Sequence, residues 1–434
     1  MKKNTIIVVE ARSSGVSYIS DIRKMGYEPI IMEVPVPNDP EEGWRALSYT
    51  LNGESVPEII TAQPDYDKTL EMVRGIDPVL IIPGSDNGIN LATQLSQDLG
   101  LKGEDPERLP YMRKKDLMQE AVRAYGLRSI HSKRISTEEE AVAYYREQAN
   151  KKAVIKPISG AGSKDVCICL NEEMVRNAVR LNLASASDFV IQEFIEGEEY
   201  FCDTVSIDGE VLPTFAMKYH KKLVPGYGMV YDYAEYISLT DPEIAPIVEY
   251  AVQATKAVGL RFGPMHGEYK MDDKGPVLIE VNCRPAGTLV KTSFYDETLG
   301  FHETDVALRS YLDPDGARRI IKEHTQSIKS CGVYKFIILE NDIYVNKIKV
   351  EEACRGLPSY RYSLRIAGEA GNIFRKTVDV NTTGGVVYLA GNPEDVHRDL
   401  EYIQDLEQHH IEQLFDIAEP ASVIVHPAHS LIAS

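Results

Sequence analysis

The sequence predicts a multidomain chain of mixed α/β and α+β class. A parallel α/β domain leads, a two-part central region follows, and a mainly antiparallel β domain closes it. Three observations predict this. Residues 1–110 alternate short apolar runs with helically spaced segments, which implies a parallel sheet with helices on both faces. Between about 111 and 325 come a Gly/Ser hairpin, a β-meander and a polar-faced hairpin. Residues 328–415 carry strand-like runs separated by Gly and Asn turns. The expected domains are 1–110, 111–195, 196–325 and 326–434.

Composition bounds the function. The 434 residues are 43% hydrophobic and 26% charged, with a formal net charge of −19. Such an acidic chain is a poor partner for duplex nucleic acid or an anionic membrane, yet a local lysine cluster with Mg²⁺ can hold a triphosphate. The six cysteines show no zinc spacing and read as reduced thiols. No run approaches the ~18–20 apolar residues of a membrane span, and the amino-terminal apolar run is too short for a signal peptide. The expected compartment is the cytoplasm. A homodimer is compatible with these features, though no segment specifies one.

In chain order, Thr5–Val9 is a strand, Glu10–Gly15 a loop and Val16–Met25 helical. The loop lacks a GxGxxG fingerprint, so a plain turn is expected there rather than a dinucleotide site. Tyr27–Met32, Glu58–Thr61 and Val79–Pro83 are further strands, and Asn87–Leu99 is a helix. Loops at the carboxyl ends of such strands should face a ligand crevice. A helix opens at Arg113-Lys114-Lys115, and a second begins at Ser136-Thr137-Glu138-Glu139, a capping-box pattern. Ala153–Lys156 and Val166–Leu170 are small strands joined by Ser159, Gly160, Ala161, Gly162 and Ser163, a loop whose backbone could cover phosphates. Lys156 beside an apolar run suggests an anionic partner.

Phe189–Phe194 is a strand that leaves through QEFIEGEEY, where free backbone groups could meet an adenine edge and Glu199 a ribose. A hairpin turns at Asp208-Gly209, and Pro225–Gly228 is a loop able to cover a site. Asp241–Val258 and Glu303–Leu312 are helices, and Pro314-Asp315-Gly316 marks a turn. In the last domain KTVDV reads as a strand and PEDVHRDLEYIQDLEQHHI as a helix. Its adjacent His409 and His410 point about 100° apart and read as surface groups.

Met265–Gly287 organises the rest. It reads as a hairpin turning at Asp272-Asp273-Lys274-Gly275, with Glu268 opposite Glu280. Strand alternation places Glu280, Asn282 and Arg284 on one face and Val277, Ile279, Val281 and Cys283 on the other. Two carboxylates and an amide oxygen are hard ligands suited to Mg²⁺.

The motifs RKKDLM, VIKPISGAGS, QEFIEGEE, HGEYK and IEVNCRPAG, in this order, resemble the ATP-grasp superfamily and cover most of the chain. HGE followed by IEVNCRPAG looks most like the L-amino-acid ligase branch, the dipeptide synthases. The resemblance implies an ATP-grasp fold and an ATP-dependent carboxylate–amine ligase with an acyl-phosphate intermediate. It implies that Lys115 and Lys156 contact the α- and β-phosphates, that Ser159–Ser163 cover the β- and γ-phosphates, that Gln192, Glu193, Phe194 and Ile195 form the adenine hinge, and that Glu199 binds ribose. Glu268, Glu280 and Asn282 would hold one or two Mg²⁺ or Mn²⁺ ions. Arg284 would stabilise the transferring phosphoryl group, with Lys156 and Glu268 also catalytic. His266, Lys218, Arg284 and Gly287 are candidates on the amino-acid side, and His266, Lys218 and Glu235 are candidate bases for the amine. The first motif departs from the family in having Arg113 and Lys114 before Lys115; spacing to Met118 favours Lys115. Alternatives are a bicarbonate- or formate-using ligase of the same superfamily, and a nucleotide-binding regulator without catalysis.

Overall fold

The computed structural model describes residues 4–35, 48–49, 51–159, 166–185, 188–224, 228–287, 289–364 and 368–417. They fall into two compact units. The first comprises the described residues of Met1–Lys218 and Tyr236–Lys329, the second those of Tyr219–Glu235 and Ser330–Ser434.

The first unit opens with a parallel sheet of β1 (Thr5–Val9), β2 (Glu28–Glu33), β3 (Glu58–Thr61) and β4 (Leu80–Pro83), in the order β3-β2-β1-β4. Its faces follow the period of two. Ile6, Val8, Ile31, Leu80 and Ile82 pack with Ile19 and Ile22 of the helix Tyr18–Lys24. Ile7, Val9, Ile30, Met32 and Ile81 pack with Leu70, Val73 and Leu95 from the helices Tyr66–Ile76 and Ile89–Asp98. Burial on both faces is why these strands read as continuous apolar runs.

The loop after β1 is a tight structural turn. Glu10 and Ser13 have φ of +57° and +49°, and a Cβ at Gly15 would stand 2.0 Å from the Gly84 carbonyl oxygen. The Glu10 carboxylate accepts from Arg12 Nε at 2.6 Å and from the Val34 backbone N–H at 2.5 Å, fastening the loop after β1 to the end of β2.

A second sheet, antiparallel, runs β5-β8-β6-β7, where β5 is Ser132–Ile135, β6 Ala153–Pro157, β7 Cys167–Cys169 and β8 Phe189–Glu193. The helices Glu138–Glu147 and Glu172–Ser185 cover one face. The capping box lies one residue later than the sequence suggested: Thr137 accepts from the Glu140 N–H, and Glu140 reaches back to the Thr137 N–H.

The third set of strands in this unit is β9 (Glu198–Ile207), β10 (Glu210–Val224, as far as Lys218), β12 (Phe262–Asp272) and β13 (Gly275–Asn282), in the order β13-β12-β9-β10. The β9–β10 turn has φ of +51° at Asp208 and +85° at Gly209, as the Asp-Gly hairpin signal demands. The helix behind these strands is Ala245–Val258, shorter than expected, because Asp241 O accepts from the Ile244 and Ala245 N–H groups in a preceding turn. Pro314 does not mark a turn. It is the first residue of the helix Pro314–His324, whose Gly316 N–H is capped by Asp313 at 3.1 Å.

In the second unit, the rest of β10 from Tyr219 and β11 (Gly228–Ile237, to Glu235) join β14 (Cys331–Phe336), β18 (Val386–Gly391) and β16 (Tyr360–Leu364) in the order β10-β11-β14-β18-β16. A smaller sheet orders β17 (Asn372–Phe374), β15 (Ile343–Ile348) and β19 (Phe415–Ile417). The expected strand KTVDV is not one: Asp379 instead caps the 3-10 turn Val380–Thr382. The helix Pro393–His409 packs Val396, Leu400, Ile403 and Leu406 into the core, and His409 and His410 are exposed. Lys335 is wholly buried, 2.5 Å from Asp232 and 2.6 Å from Glu407. No described helix is long and apolar enough to cross a membrane, and all six cysteines are free thiols.

Candidate functional site

The hairpin β12–β13 sets Glu268 directly opposite Glu280, and His266 opposite Asn282. The register slips between Glu268 and Tyr269, leaving Ile279 as an extra residue in β13. This corrects the simple alternation. Leu278, Val281 and Cys283 share the core behind the hairpin, whereas Val277 and Ile279 pack with Ile130 and Ile195 on the opposite side. The bulge thus changes the phase of the strand just before Glu280. A second correction concerns Arg284. The strand ends at Asn282, and the Arg284 N–H donates to Asn282 O at 2.9 Å, so Arg284 belongs to a bend rather than to the strand face.

The two lysines come from separate elements that are tied together. Lys115 begins the helix Lys115–Ala124, and its N–H donates to Ile158 O at 3.0 Å, just past the end of β6. That helix is fastened to β13 by Gln119, which donates to Leu278 O at 2.8 Å, and by Met118, whose sulfur accepts from the Val281 N–H at 3.4 Å. Lys115 Nζ consequently lies 2.9 Å from Glu280 Oε2, while Lys114 is exposed. Lys156, near the end of β6, is buried and forms no hydrogen bond or ion pair with any described residue. Burial first, and the charge of Lys115 second, push its pKa down to about 8 against the pull of Glu280, Glu268 and Glu199.

The end of β8 and the residues just after it form the side adjoining Ile279. Gln192 is buried, and Glu193 accepts from the His131 N–H at 2.8 Å through its side chain. Ile195 packs on Val277, and its carbonyl accepts from Lys270 Nζ at 3.1 Å. Lys270, which sequence reasoning did not single out, also lies 4.0 Å from Glu199 and 5.3 Å from the Phe194 ring centre. The pairing of β12 with β9 puts Lys270 opposite Glu199, a relation between strands sixty residues and more apart in the chain.

Three further carboxyls went unrecognised in the sequence. Asp86, in the loop after β4, accepts from Arg284 Nε at 2.9 Å; its signal was its place at the carboxyl end of a parallel strand. Asp203 of β9 holds His266 Nδ1 at 2.8 Å, with Glu268 Oε1 3.8 Å from Nε2. Burial opposes the imidazolium, but Asp203 outweighs it and takes His266 up to about 10. Glu303 accepts from the Ala286 N–H at 3.0 Å, and burial followed by the nearby Asp203 drives its carboxyl well above the ordinary range.

The structure therefore brings Lys115, Lys156, Glu199, His266, Glu268, Glu280, Asn282 and Arg284 into one region, with the 192–195 hinge at its edge. Lys218 is engaged elsewhere, with Glu198 at 3.1 Å and Glu243 at 3.2 Å. Gly287 and Ser159 are exposed. Gly160, Ala161, Gly162 and Ser163, and the loop at 225–227, lie outside the described residues. Glu235 lies in the second unit.

A buried ammonium without a hydrogen bond or ion pair among the described residues, near two facing carboxylates, fits an anionic phosphate held with a divalent cation. The family comparison agrees. Residues 149–293 match the family model of the ATP-grasp domain. These residues are an ATP-grasp domain. Dapdiamide A synthase of Enterobacter agglomerans is 24% identical over 93% of this ATP-grasp chain and 96% of its own length. The crystal structure of an L-amino acid ligase from Bacillus licheniformis superposes with a TM-score of 0.73 at 15% identity, covering 93% of this chain and 98% of that one. The ADP complex of N5-carboxyaminoimidazole ribonucleotide synthetase gives a TM-score of 0.67 at 15% identity, with coverages of 93% and 98%. The fold is the ATP-grasp fold, and the ATP-grasp chain is an ATP-dependent ligase.

Proposed function

We propose that this ligase joins the carboxyl group of one amino acid to the amino group of another, by way of an acyl phosphate, releasing ADP and phosphate. The observation that carries the proposal is the facing pair Glu268 and Glu280, both acting on the buried ammonium of Lys156. The names of the relative, dapdiamide A synthase, and of the structural neighbour, an L-amino acid ligase, support the choice of substrates.

In this reading Glu268, Glu280 and Asn282 hold one or two Mg²⁺ ions, which would neutralise charge on the phosphate oxygens. Lys115 and Lys156 hold the α- and β-phosphates, Gln192–Ile195 the adenine, and Glu199 the ribose. A carboxylate is a poor electrophile; phosphorylation by ATP supplies a leaving group. Arg284, oriented by Asp86, bears on the charge that spreads over the phosphoryl oxygens in transfer. The amine then attacks the acyl carbon and phosphate departs. His266, kept cationic by Asp203, offers a fixed positive charge to a substrate carboxylate and is a poor base in that state.

Phosphate release measured over a matrix of amino-acid pairs tests the proposal, with release expected only for particular pairs. Its absence across a broad matrix counts against amino-acid ligation. The carboxyaminoimidazole ribonucleotide synthetase neighbour favours a second reading, a bicarbonate-using ligase, and bicarbonate-dependent turnover without amino acids would select it.

A further inference from the structure

The second unit gathers three unlike donor groups that the ligase reading leaves unused. Glu235 lies near the end of β11, Cys331 opens β14, and His397 sits just inside the helix Pro393–His409. β11 and β14 are antiparallel neighbours with Glu235 opposite Val333, so Cys331 falls two residues along the same strand face. The imidazole, thiol and carboxylate ligand atoms all lie within 4.8 Å of one another. His397 Nε2 is 3.0 Å from Glu235 Oε1, and Cys331 Sγ is 3.7 Å from the same oxygen.

We propose that Glu235, Cys331 and His397 form a binding site for a zinc-class transition-metal ion, separate from the Mg²⁺–ATP region. The donor set decides the class of ion: a thiolate and an imidazole suit Zn²⁺ or Co²⁺, whereas Mg²⁺ and Ca²⁺ take oxygen ligands. Around a tetrahedral Zn²⁺, with bonds of about 2.0–2.3 Å, neighbouring donors stand roughly 3.3–3.6 Å apart. The two hydrogen-bonded separations already bracket that spacing, so metal entry needs only a small rearrangement. Cys331 is buried, Glu235 partly buried and His397 half-exposed, which leaves a path from solvent. On binding, the Cys331 S–H bond breaks, its proton passes to solvent and the thiolate bonds the ion. Thiolate and carboxylate then neutralise the double charge. Three protein ligands leave a fourth position for water or a small ligand. A surface His–Glu pair would need no thiol turned to the same oxygen. The spacing 235, 331, 397 spans three elements, which is why the cysteine pattern of the sequence held no hint of it.

Titration of the full chain with Co²⁺ in excess Mg²⁺ tests the site. The expected result is one equivalent bound, with thiolate-to-cobalt charge-transfer absorption and the intense visible bands of a four-coordinate ion. Cys331→Ser should abolish the charge-transfer band, and His397→Ala, at a half-exposed position, should weaken Co²⁺ binding roughly tenfold or more with the circular dichroism unchanged. Zn²⁺ should raise the melting temperature of the wild type and not of His397→Ala. A cobalt spectrum without the charge-transfer band, a band that survives Cys331→Ser, or native affinity in His397→Ala overturns the proposal.

Discussion

Lys115 Nζ sits 2.9 Å from Glu280 Oε2, with both side chains largely shielded from water. The ion pair joins the first residue of a helix to a strand 165 positions later in the chain. It orients the Glu280 carboxylate, while the buried Lys156 forms no hydrogen bond or ion pair with any described residue. The first prediction follows. Glu280→Gln keeps the size and hydrogen-bonding capacity of the side chain but removes its charge. Turnover should fall on the order of a hundredfold or more, with native circular dichroism. Near-native kcat in this variant would remove Glu280 from the metal site.

Lys156 gives a pH signature. Its pKa, about 8 in the nucleotide-free protein, lies below the ordinary lysine value. Below pH ~8 the ammonium is charged and ready for a phosphate. Above it the free protein loses that charge, and binding ATP must restore a proton. Nucleotide affinity should therefore fall as pH rises through 8, approaching tenfold per pH unit. Calorimetry at pH 7 and pH 9 measures the fall. Lys156→Ala should bind ATP weakly at both, and unchanged affinity in it would refute the role.

Asp203 should act through His266. With Asp203 in place the imidazole stays charged to about pH 10. Asp203→Asn removes the main stabiliser of that charge, so burial pulls the pKa down toward or below the ordinary value of about 6.5. The ring proton resonances of His266, followed by NMR from pH 5 to 8.5, should be flat in the wild type. In the variant they should either titrate or report a neutral ring throughout.

His302 offers a stability test away from the hairpin. It bridges Asp21 at 2.9 Å and Asp296 at 2.8 Å, and although burial opposes its charge, Asp21 and Asp296 raise its pKa to about 10. The folded state thus holds a proton that the unfolded chain releases near pH 6.5. This contribution is complete below pH ~6.5 and is lost as pH rises through about 10. Melting temperature should decline across that window, and more gently in His302→Gln.

In the second unit, Lys335 neutralises two carboxylates in a dry setting. Lys335→Met removes the shared cation, leaving Asp232 with Gln404 and Glu407 with Lys222 and the Ile338 N–H, and should cost about 1.5–3 kcal/mol in urea unfolding. A loss below ~1 kcal/mol would show that the two carboxylates are relieved in another way.

What the amino-acid order determined by itself was local and periodic. The continuous apolar runs of Thr5–Val9 and its partner strands, set between helically spaced segments, specified a parallel sheet buried on both faces. The Asp-Gly turn at 208–209 specified a hairpin, and the five motifs in order resembled the ATP-grasp superfamily. A turn of about five residues predicts Glu268 opposite Glu280; the turn is tighter, with Asp272 opposite Gly275, and the bulge at Ile279 supplies the offset that pairs the two glutamates. The tertiary structure decided what depends on long-range contact. The bulge at Ile279 split one expected apolar face between two cores. Asp86, Asp203 and Glu303 entered the site from three remote elements, and Glu235, Cys331 and His397 met through strand pairing and helix docking. A residue's partners across the fold are set by packing, and packing leaves no period in the sequence to read.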